Sequence, residues 1–279
     1  MFSLNCRGKF VFAENPLIMG ILNLTEDSFY AGSRHRTLEA IKEKTGQMLS
    51  EGADIIDLGA QSTRPGSTRF SAEDELEKLL PAIDCLVKDF HSILISIDTY
   101  FSKVARECVA AGASIINDIS GANMDSEMIR TVGKLNVPYV CMHMKGVPET
   151  MQNQPQYDDV TKEVLDYFIA KIDECKQAGI NDVIIDPGFG FGKNIAQNLK
   201  LLKDLSVFKI LDKPILAGVS RKSTIYRTLK ISVEDSLNGT TVLHTIALQN
   251  GASMLRVHDV KEAKEAVTLL GAISNASPK

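Results

Sequence analysis

A barrel of eight parallel strands, each followed by a helix, is the fold the sequence predicts. Three observations lead to it. Short β-branched and aliphatic runs alternate with longer segments of helical period. Eight such strand-then-helix units fit into roughly 260 of the 279 residues, which is the length of a single (β/α) barrel. The glycine fingerprint that opens a doubly wound, dinucleotide-binding sheet is missing.

The predicted strands are PLIMGILN (16–23), DIIDLG (54–59), SILISID (92–98), SIINDI (114–119), PYVCMHM (138–144), DVIIDPG (182–188), PILAGVS (214–220) and SMLRVHD (253–259). Between them, Leu38, Ile41, Thr45 and Met48 recur at three- and four-residue spacing. So do Val164, Phe168, Ile172 and Cys175, and again Val260, Ala263, Val267 and Leu270, which places each set on one helical face. Ser71 with Asp74, and Asp259 with Glu262, have the spacing of helix-starting capping boxes. Pro81 lies inside the second helical segment and allows a kink there. The opening residues 1–15 are expected to form a small hairpin closing the bottom of the barrel, so that residues 1–279 make one domain.

Composition narrows the function. With 44% hydrophobic and 24% charged residues and a net charge of −4, the chain can bury a large core. It has no basic footprint for nucleic acid or an anionic membrane. No apolar run approaches the ~18 residues of a membrane span, and the N-terminus has no signal-peptide pattern. Cys6, Cys85, Cys108, Cys141 and Cys175 are odd in number and lack a C-x-x-C pair, which fits buried thiols in a reducing, cytoplasmic compartment rather than zinc ligands or disulfides.

Nearly every predicted strand ends in a polar residue: Asn23, Asp98, Asn117 with Asp118, His143, Asp186, then Arg221 with Lys222, and Arg256 with His258. The C-terminal strand ends are the active-site face of such barrels, so a polar ring there implies a ligand. Singly, each has a plainer explanation: an Asp or Asn caps a helix, and His143 between Met142 and Met144 reads as a satisfied core histidine. The glycine-rich stretch from Asp186 to Lys193 is neither a P-loop nor a dinucleotide turn. Its glycines permit a tight loop and a close approach to a flat ring stacked on Phe191. Two long polar loops, 25–30 and 61–69, are lid candidates.

In order along the chain, NLTEDSF (23–29), STRPG (62–66), SIDT (96–99), IINDISG (115–121), MHMKGVPETMQ (142–152), IIDPGFGFGK (184–193), GVSRKS (218–223) and RVHDV (256–260) resemble the motifs of dihydropteroate synthases. Leu24, Glu26 and Gln61 depart from the usual Val, Pro and Glu, which touches only details of the two loops. The resemblance implies condensation of 6-hydroxymethyl-7,8-dihydropterin pyrophosphate with p-aminobenzoate, giving dihydropteroate and pyrophosphate through a dihydropterin cation.

The resemblance also implies residue roles. Asp186, Asn117 and Asp98 would read the pterin edge, Met142 and Phe191 pack on its faces, and Gly218 and Lys222 complete the pocket. Arg256, His258, Thr63 and Arg64 would hold the pyrophosphate, with Asn23 contacting Mg²⁺. Phe29, Thr63, Pro65, Arg221, Lys222 and Ser223 would form the p-aminobenzoate site. Asp98, Lys222, Asp27 and Arg64 would carry the catalytic work, and a homodimer formed through barrel helices is implied. A methyltetrahydrofolate–corrinoid methyltransferase-like barrel is the nearest alternative, but it gives no role to the 62–66 loop, to Ser220–Ser223 or to Arg256 with His258. An aldolase using Lys222 as a Schiff base leaves the edge readers without a task. A non-catalytic pterin binder leaves the loop motifs without one.

Overall fold

The structure is a computed structural model, and it describes residues 1–24, 34–61, 70–146 and 155–276. The chain opens with an antiparallel hairpin of β1 (Phe2–Cys6) and β2 (Lys9–Ala13). Arg7 and Gly8 both take positive φ, 56° and 83°, as a two-residue turn between twisted strands requires. Leu4, Cys6 and Ala13 pack upward against the lowest layer of the barrel interior. Asn5 donates its backbone N–H to Asp182 at 2.7 Å, tying the plug to the main sheet.

The barrel strands are β3 (Leu17–Asn23), β4 (Ile55–Gly59), β5 (Ile95–Asp98), β6 (Ile115–Asp118), β7 (Tyr139–Met142), β8 (Val183–Asp186), β9 (Leu216–Ala217) and β10 (Met254–Val257). They form one eight-stranded sheet in the order β8-β7-β6-β5-β4-β3-β10-β9, with parallel pairing throughout. A parallel bridge from Ile185 to Ile215 closes the ring between β8 and β9. Each observed strand lies inside its predicted run. Asn23, Asp98, Asn117, Asp118, Asp186 and Arg256 of the polar ring remain within the observed strands, while His143, Arg221, Lys222 and His258 fall in the loops that follow.

The helices that the site depends on are α1 (Arg34–Glu51), α2 (Ala72–Asp89), α3 (Ser102–Ala111), α4 (Met128–Leu135), α5 (Val160–Gln177), α6 (Ile195–Lys203), α7 (Ser223–Leu229), α8 (Leu237–Gln249) and α9 (Val260–Ser274). Ser71 caps α2 with a reciprocal box to Asp74, as its spacing predicts, and α2 continues through Pro81. Asp259 differs. It precedes α9 without a side-chain cap, because its carboxylate accepts Arg221 Nε and Nη2, each at 2.8 Å. A bidentate ion pair is a stronger partner than an end-of-helix N–H.

Alternation along the strands sorts side chains into two cores. Outward residues such as Ile18, Ile56, Ile97, Ile116, Cys141 and Leu255 meet the helices. Inward residues Leu17, Met19, Ile55, Ile115, Val140, Ile184, Leu216 and Met254 fill the barrel. Two residues further along the same inward rows stand Asp57, Asn117, Met142, Asp186, Gly218 and Arg256, so the filled interior changes to a polar floor within one pleat.

The same parity separates Asn117 from Asp118. Asp118 points outward, where it accepts hydrogen bonds from Ser120 N at 2.8 Å, Ser120 Oγ at 2.7 Å, Ala122 N at 2.7 Å and Tyr139 Oη at 2.7 Å. It braces the β6 loop rather than facing the barrel mouth. Asp118→Ala is therefore expected to lower stability by about 2–4 kcal/mol in urea unfolding, because it leaves several buried donors unpaired. A loss under about 1 kcal/mol would contradict this bracing role.

Candidate active site

The C-terminal mouth brings together side chains from most of the strands. Asp98 ends β5 and lies level with Asn117, its register partner on β6. Met142 on β7 is level with Asp186 on β8. Lys222 follows β9, and Arg256 reaches in from β10. Arg256 donates Nε to Asp57 Oδ2 at 2.7 Å and Nη2 to Asp98 Oδ2 at 2.6 Å. Asn117 Nδ2 donates to the same Asp57 oxygen at 3.1 Å.

Burial of these charges sets their acidity. Desolvation raises Asp98 to about 7, against the pull of Arg256, with Asp57, Asp118 and Asp186 pushing the same way as burial. Desolvation likewise raises Asp186, although Lys222, Arg256 and the Gly188 N–H favour its charged form. Lys222 is lowered to about 8 by burial, with Asp186 opposing. Its ammonium donates to the Phe189 carbonyl and lies 4.7 Å from the centre of the Phe191 ring. Three carboxylates, Asp57, Asp98 and Asp186, thus share the mouth with two cations, Arg256 and Lys222. Such a floor favours a ligand that becomes positive.

One wall is apolar: Met142 and Met144 cluster with Tyr100 and Ile119, and Phe191 packs against them. Gly218 has no Cβ where one would sit 3.6 Å from Lys222 Nζ, 3.9 Å from Asp186 Oδ2 and 4.0 Å from the Arg256 Cβ. The glycine keeps the pocket open between those three groups.

The glycine-rich loop is built around a cation. Lys193 is buried and donates to the carbonyls of Gly188 at 2.9 Å, Phe191 at 3.0 Å and His143 at 3.3 Å, and contacts His143 Nδ1 at 3.0 Å. Burial lowers Lys193 to about 7, and burial together with Lys193 lowers His143 to about 2. His143 is thus the satisfied core histidine that its methionine neighbours suggest, turned away from the mouth. Gly188, at φ +70°, sits against the His143 carbonyl where a Cβ would collide.

The remaining expected residues divide three ways. Ser223 begins α7 directly after Lys222, and His258 Nδ1 lies 3.1 Å from Ser220 Oγ on the β9 side of the mouth. Arg221 is brought near but is committed elsewhere. Besides Asp259 it donates to the carbonyls of Val233 at 3.2 Å and Glu234 at 2.9 Å, so the expected contact with p-aminobenzoate would require that network to open. Asp27, Phe29, Thr63, Arg64 and Pro65 lie outside the described residues, although Gln61 Oε1 accepts from Phe70 N at 3.0 Å across the base of the second loop.

Two buried acids were not singled out from the sequence. Asp57 sits one pleat below the strand end, and only the alternation Ile55–Asp57, parallel to Ile115–Asn117 and Ile184–Asp186, marks it as inward. Glu75, on α2, accepts from Thr99 Oγ1 at 2.7 Å behind Asp98, and burial raises it to about 7. Nothing in the helical pattern distinguishes it from its solvated acidic neighbours.

These features define a pterin-type pocket, with buried carboxylates and an amide at its floor, an apolar wall and adjacent cations. The profile described as "Pterin binding enzyme" matches residues 19–258, and the chain belongs to that family. Within it the similar relatives include dihydropteroate synthases, transferases of folate biosynthesis. The Escherichia coli K12 dihydropteroate synthase is 41% identical over 97% of this chain and 96% of its own length. A Xanthomonas albilineans dihydropteroate synthase solved with 4-aminobenzoic acid superposes with a TM-score of 0.91 at 39% identity, covering 99% of each chain. The same species' enzyme in complex with 7,8-dihydropteroate gives 0.88 at 36% identity, over 99% of this chain and 100% of that one.

Two of the shifted groups in the mouth, Asp98 and Lys222, set a pH dependence. Asp98, raised to about 7, loses its charge as pH falls through that value. Lys222, lowered to about 8, loses its charge as pH rises through that one. The kcat/KM for the pterin substrate is expected to be a narrow bell with limbs near those values, and Asp98→Asn should remove the acid limb. A profile flat from about pH 6 to 9 would contradict the assignment.

Proposed function

We propose that this chain, acting as one pterin-binding domain over residues 1–279, joins 6-hydroxymethyl-7,8-dihydropterin pyrophosphate to p-aminobenzoate, releasing pyrophosphate and forming 7,8-dihydropteroate. The observation that carries the reading is the buried floor of Asp57, Asp98 and Asp186 around Arg256 and Lys222. Departure of pyrophosphate from the exocyclic methylene leaves a cation spread over the reduced ring. Carboxylates buried in the mouth stabilise that charge more than they stabilise the neutral substrate.

In this reading Asp186 accepts from the 2-amino and ring N–H groups in bidentate fashion, and Asn117 pairs with the adjacent edge. Asp98 lies by the N8 side, where its charge supports the cation. Met142 and Phe191 pack on the ring, and Lys222 meets its oxygen-bearing or N5 edge beside Gly218. Arg256 and His258 hold the leaving pyrophosphate, with Thr63 and Arg64 closing from the second loop. Ser223, at the start of α7, takes the p-aminobenzoate carboxylate through its hydroxyl and backbone. Phe29 and Pro65 wall that ring, Asp27 assists proton handling, and Arg221 holds the Lys222–Ser223 loop against Asp259.

The residues present suit Mg²⁺. Asn23 leaves β3 with an exposed side chain, and Gly59, its register partner, lacks a Cβ that would sit 3.6 Å from the Asn23 amide oxygen and 3.4 Å from the Asp98 Cβ. No cluster of three or more His, Cys, Asp or Glu forms a closed cage among the described residues. Mg²⁺ usually keeps several waters and takes few protein oxygens beside substrate phosphates, so an amide oxygen near the Asp98 carboxylate is compatible with it. Bound there, it supplies positive charge to the pyrophosphate oxygens.

Five free thiols suit a cytoplasmic setting, which cell fractionation would test; no described helix is long and apolar enough to cross a membrane. We place a homodimer contact on the outer faces of α8 and α9, where Val242, Leu269 and Ile273 are 50%, 65% and 70% exposed. Sedimentation equilibrium should give the dimer mass, and a monomer mass would contradict this.

The reaction is tested by following pyrophosphate and dihydropteroate together, with Mg²⁺, with and without p-aminobenzoate. Stoichiometric formation of both products is expected. Pterin binding with neither product would shift the assignment to a methyltransferase-like or non-catalytic barrel. Asp186→Asn should weaken pterin binding about 100-fold by calorimetry, since it replaces one accepting oxygen by an NH2 donor facing a ligand N–H and removes the charge. Unchanged affinity would remove Asp186 from the edge-reading role.

A further inference from the structure

Asp57 is completely buried, and a single one of its oxygens serves two strands. Oδ2 accepts Arg256 Nε from β10 and Asn117 Nδ2 from β6. In the reading above those two groups have different tasks, one on the leaving anion and one on the ring edge. The other oxygen, Oδ1, is buried and has no hydrogen-bond partner among the described residues. An acid this buried is costly to retain for packing alone, since an apolar side chain would fill the same space without desolvating a charge.

The register gives Asp57 a different depth from Asp98. Asp57 lies opposite Ser96, whereas Asp98 lies opposite Gly59, two residues nearer the mouth. A ring docking on Asp98 and Asn117 therefore meets Asp98 first and leaves Asp57 beneath it. Arg256 is held by both acids, through Nε to the deep one and Nη2 to the shallow one. Only the shallow contact competes with a ligand.

We propose that Asp57 is a positioning residue for the synthase reaction: it keeps Arg256 fixed through Nε, and Asn117 through Nδ2, while the Nη2 arm of Arg256 leaves Asp98 for the incoming pterin pyrophosphate. Asp98 is thereby freed to face the ring without the arginine drifting from the anion site. Asp57 thus couples recognition of the ring edge to placement of the cation that meets the leaving group, without contacting the reacting atoms. The inference rests on the pterin lying against Asp98 and Asn117.

The test is a kinetic cycle of Asp57→Ala, Arg256→Ala and the double variant, run beside the unaltered enzyme with both substrates varied. Asp57→Ala is expected to raise the KM for the dihydropterin pyrophosphate at least about 30-fold, the range seen when a buried hydrogen-bonded charge loses its partner. The KM for p-aminobenzoate should stay within about twofold. The double variant should lose clearly less than the sum of the two single losses, because part of the effect of Asp57 runs through the arginine and only the remainder through Asn117. Asp57→Asn keeps an acceptor for Nε and should restore the pterin KM to within several-fold of the starting value.

Unchanged pterin KM in Asp57→Ala, an equal rise in both KM values, or additive losses in the double variant would each overturn the proposal. If Asp57→Ala does not fold, Asp57→Asn replaces it in the cycle. Its several-fold KM rise should then shrink in the Arg256→Ala background, and persistence of the full rise would overturn the proposal. Failure of the unaltered enzyme to make dihydropteroate would instead overturn the reaction assignment, so the two failures are distinguishable.

Discussion

Arg256, lodged between Asp57 and Asp98 at the level where the barrel interior turns from aliphatic to polar, is the interaction around which the mouth is organised. Buried charges are tolerated when they are paired and hydrogen-bonded, and breaking one side leaves an expensive residue. The pairing lets Asp98 and Asp186 stand buried beside Lys222, with three carboxylates to two cations. That surplus is the electrostatic condition for a ring that becomes cationic when its leaving group departs. Burial raises Asp98 to about 7 against the pull of Arg256, so changes in its charged neighbours change how much of that charge is available near neutral pH.

A second constraint holds the wall that follows β8. The Lys193 ammonium occupies the centre of the glycine loop and replaces water for three carbonyls and the His143 ring. The left-handed Gly188, Gly190 and Gly192 let the backbone fold around it. The loop so fixed presents the Phe189 carbonyl to Lys222 and the Phe191 ring beneath it. The position of Lys222 is therefore inherited from a lysine that never reaches the pocket. On the far side of β9, Arg221 and Asp259 lock the chain that leads into α7, so Lys222 is held from both directions.

Most of the barrel was legible in the sequence because each strand is a short aliphatic run bounded by turn residues, and because its terminal polar residue is unusual enough to notice. Asp98, Asn117, Asp186 and Arg256 were visible on that ground. Asp57 was hidden in the interior of DIIDLG, where only the two-residue alternation, once the inward parity is known, separates it from a loop acid. Glu75 could not be read, since its burial depends on how α2 lies against β5. Asp118 and Asp259 show the converse. Both look like site or cap residues in sequence, yet parity turns the first outward, and a non-local arginine takes the carboxylate of the second.

The most direct measurement is a crystal structure with dihydropterin pyrophosphate and Mg²⁺ bound. The account predicts the ring edge on Asp186 and Asn117, Asp98 beside the reduced ring, and Arg256 Nη2 on the pyrophosphate while Nε stays on Asp57. A ring bound away from these carboxylates, or an Arg256 that keeps Asp98 and ignores the pyrophosphate, would contradict it.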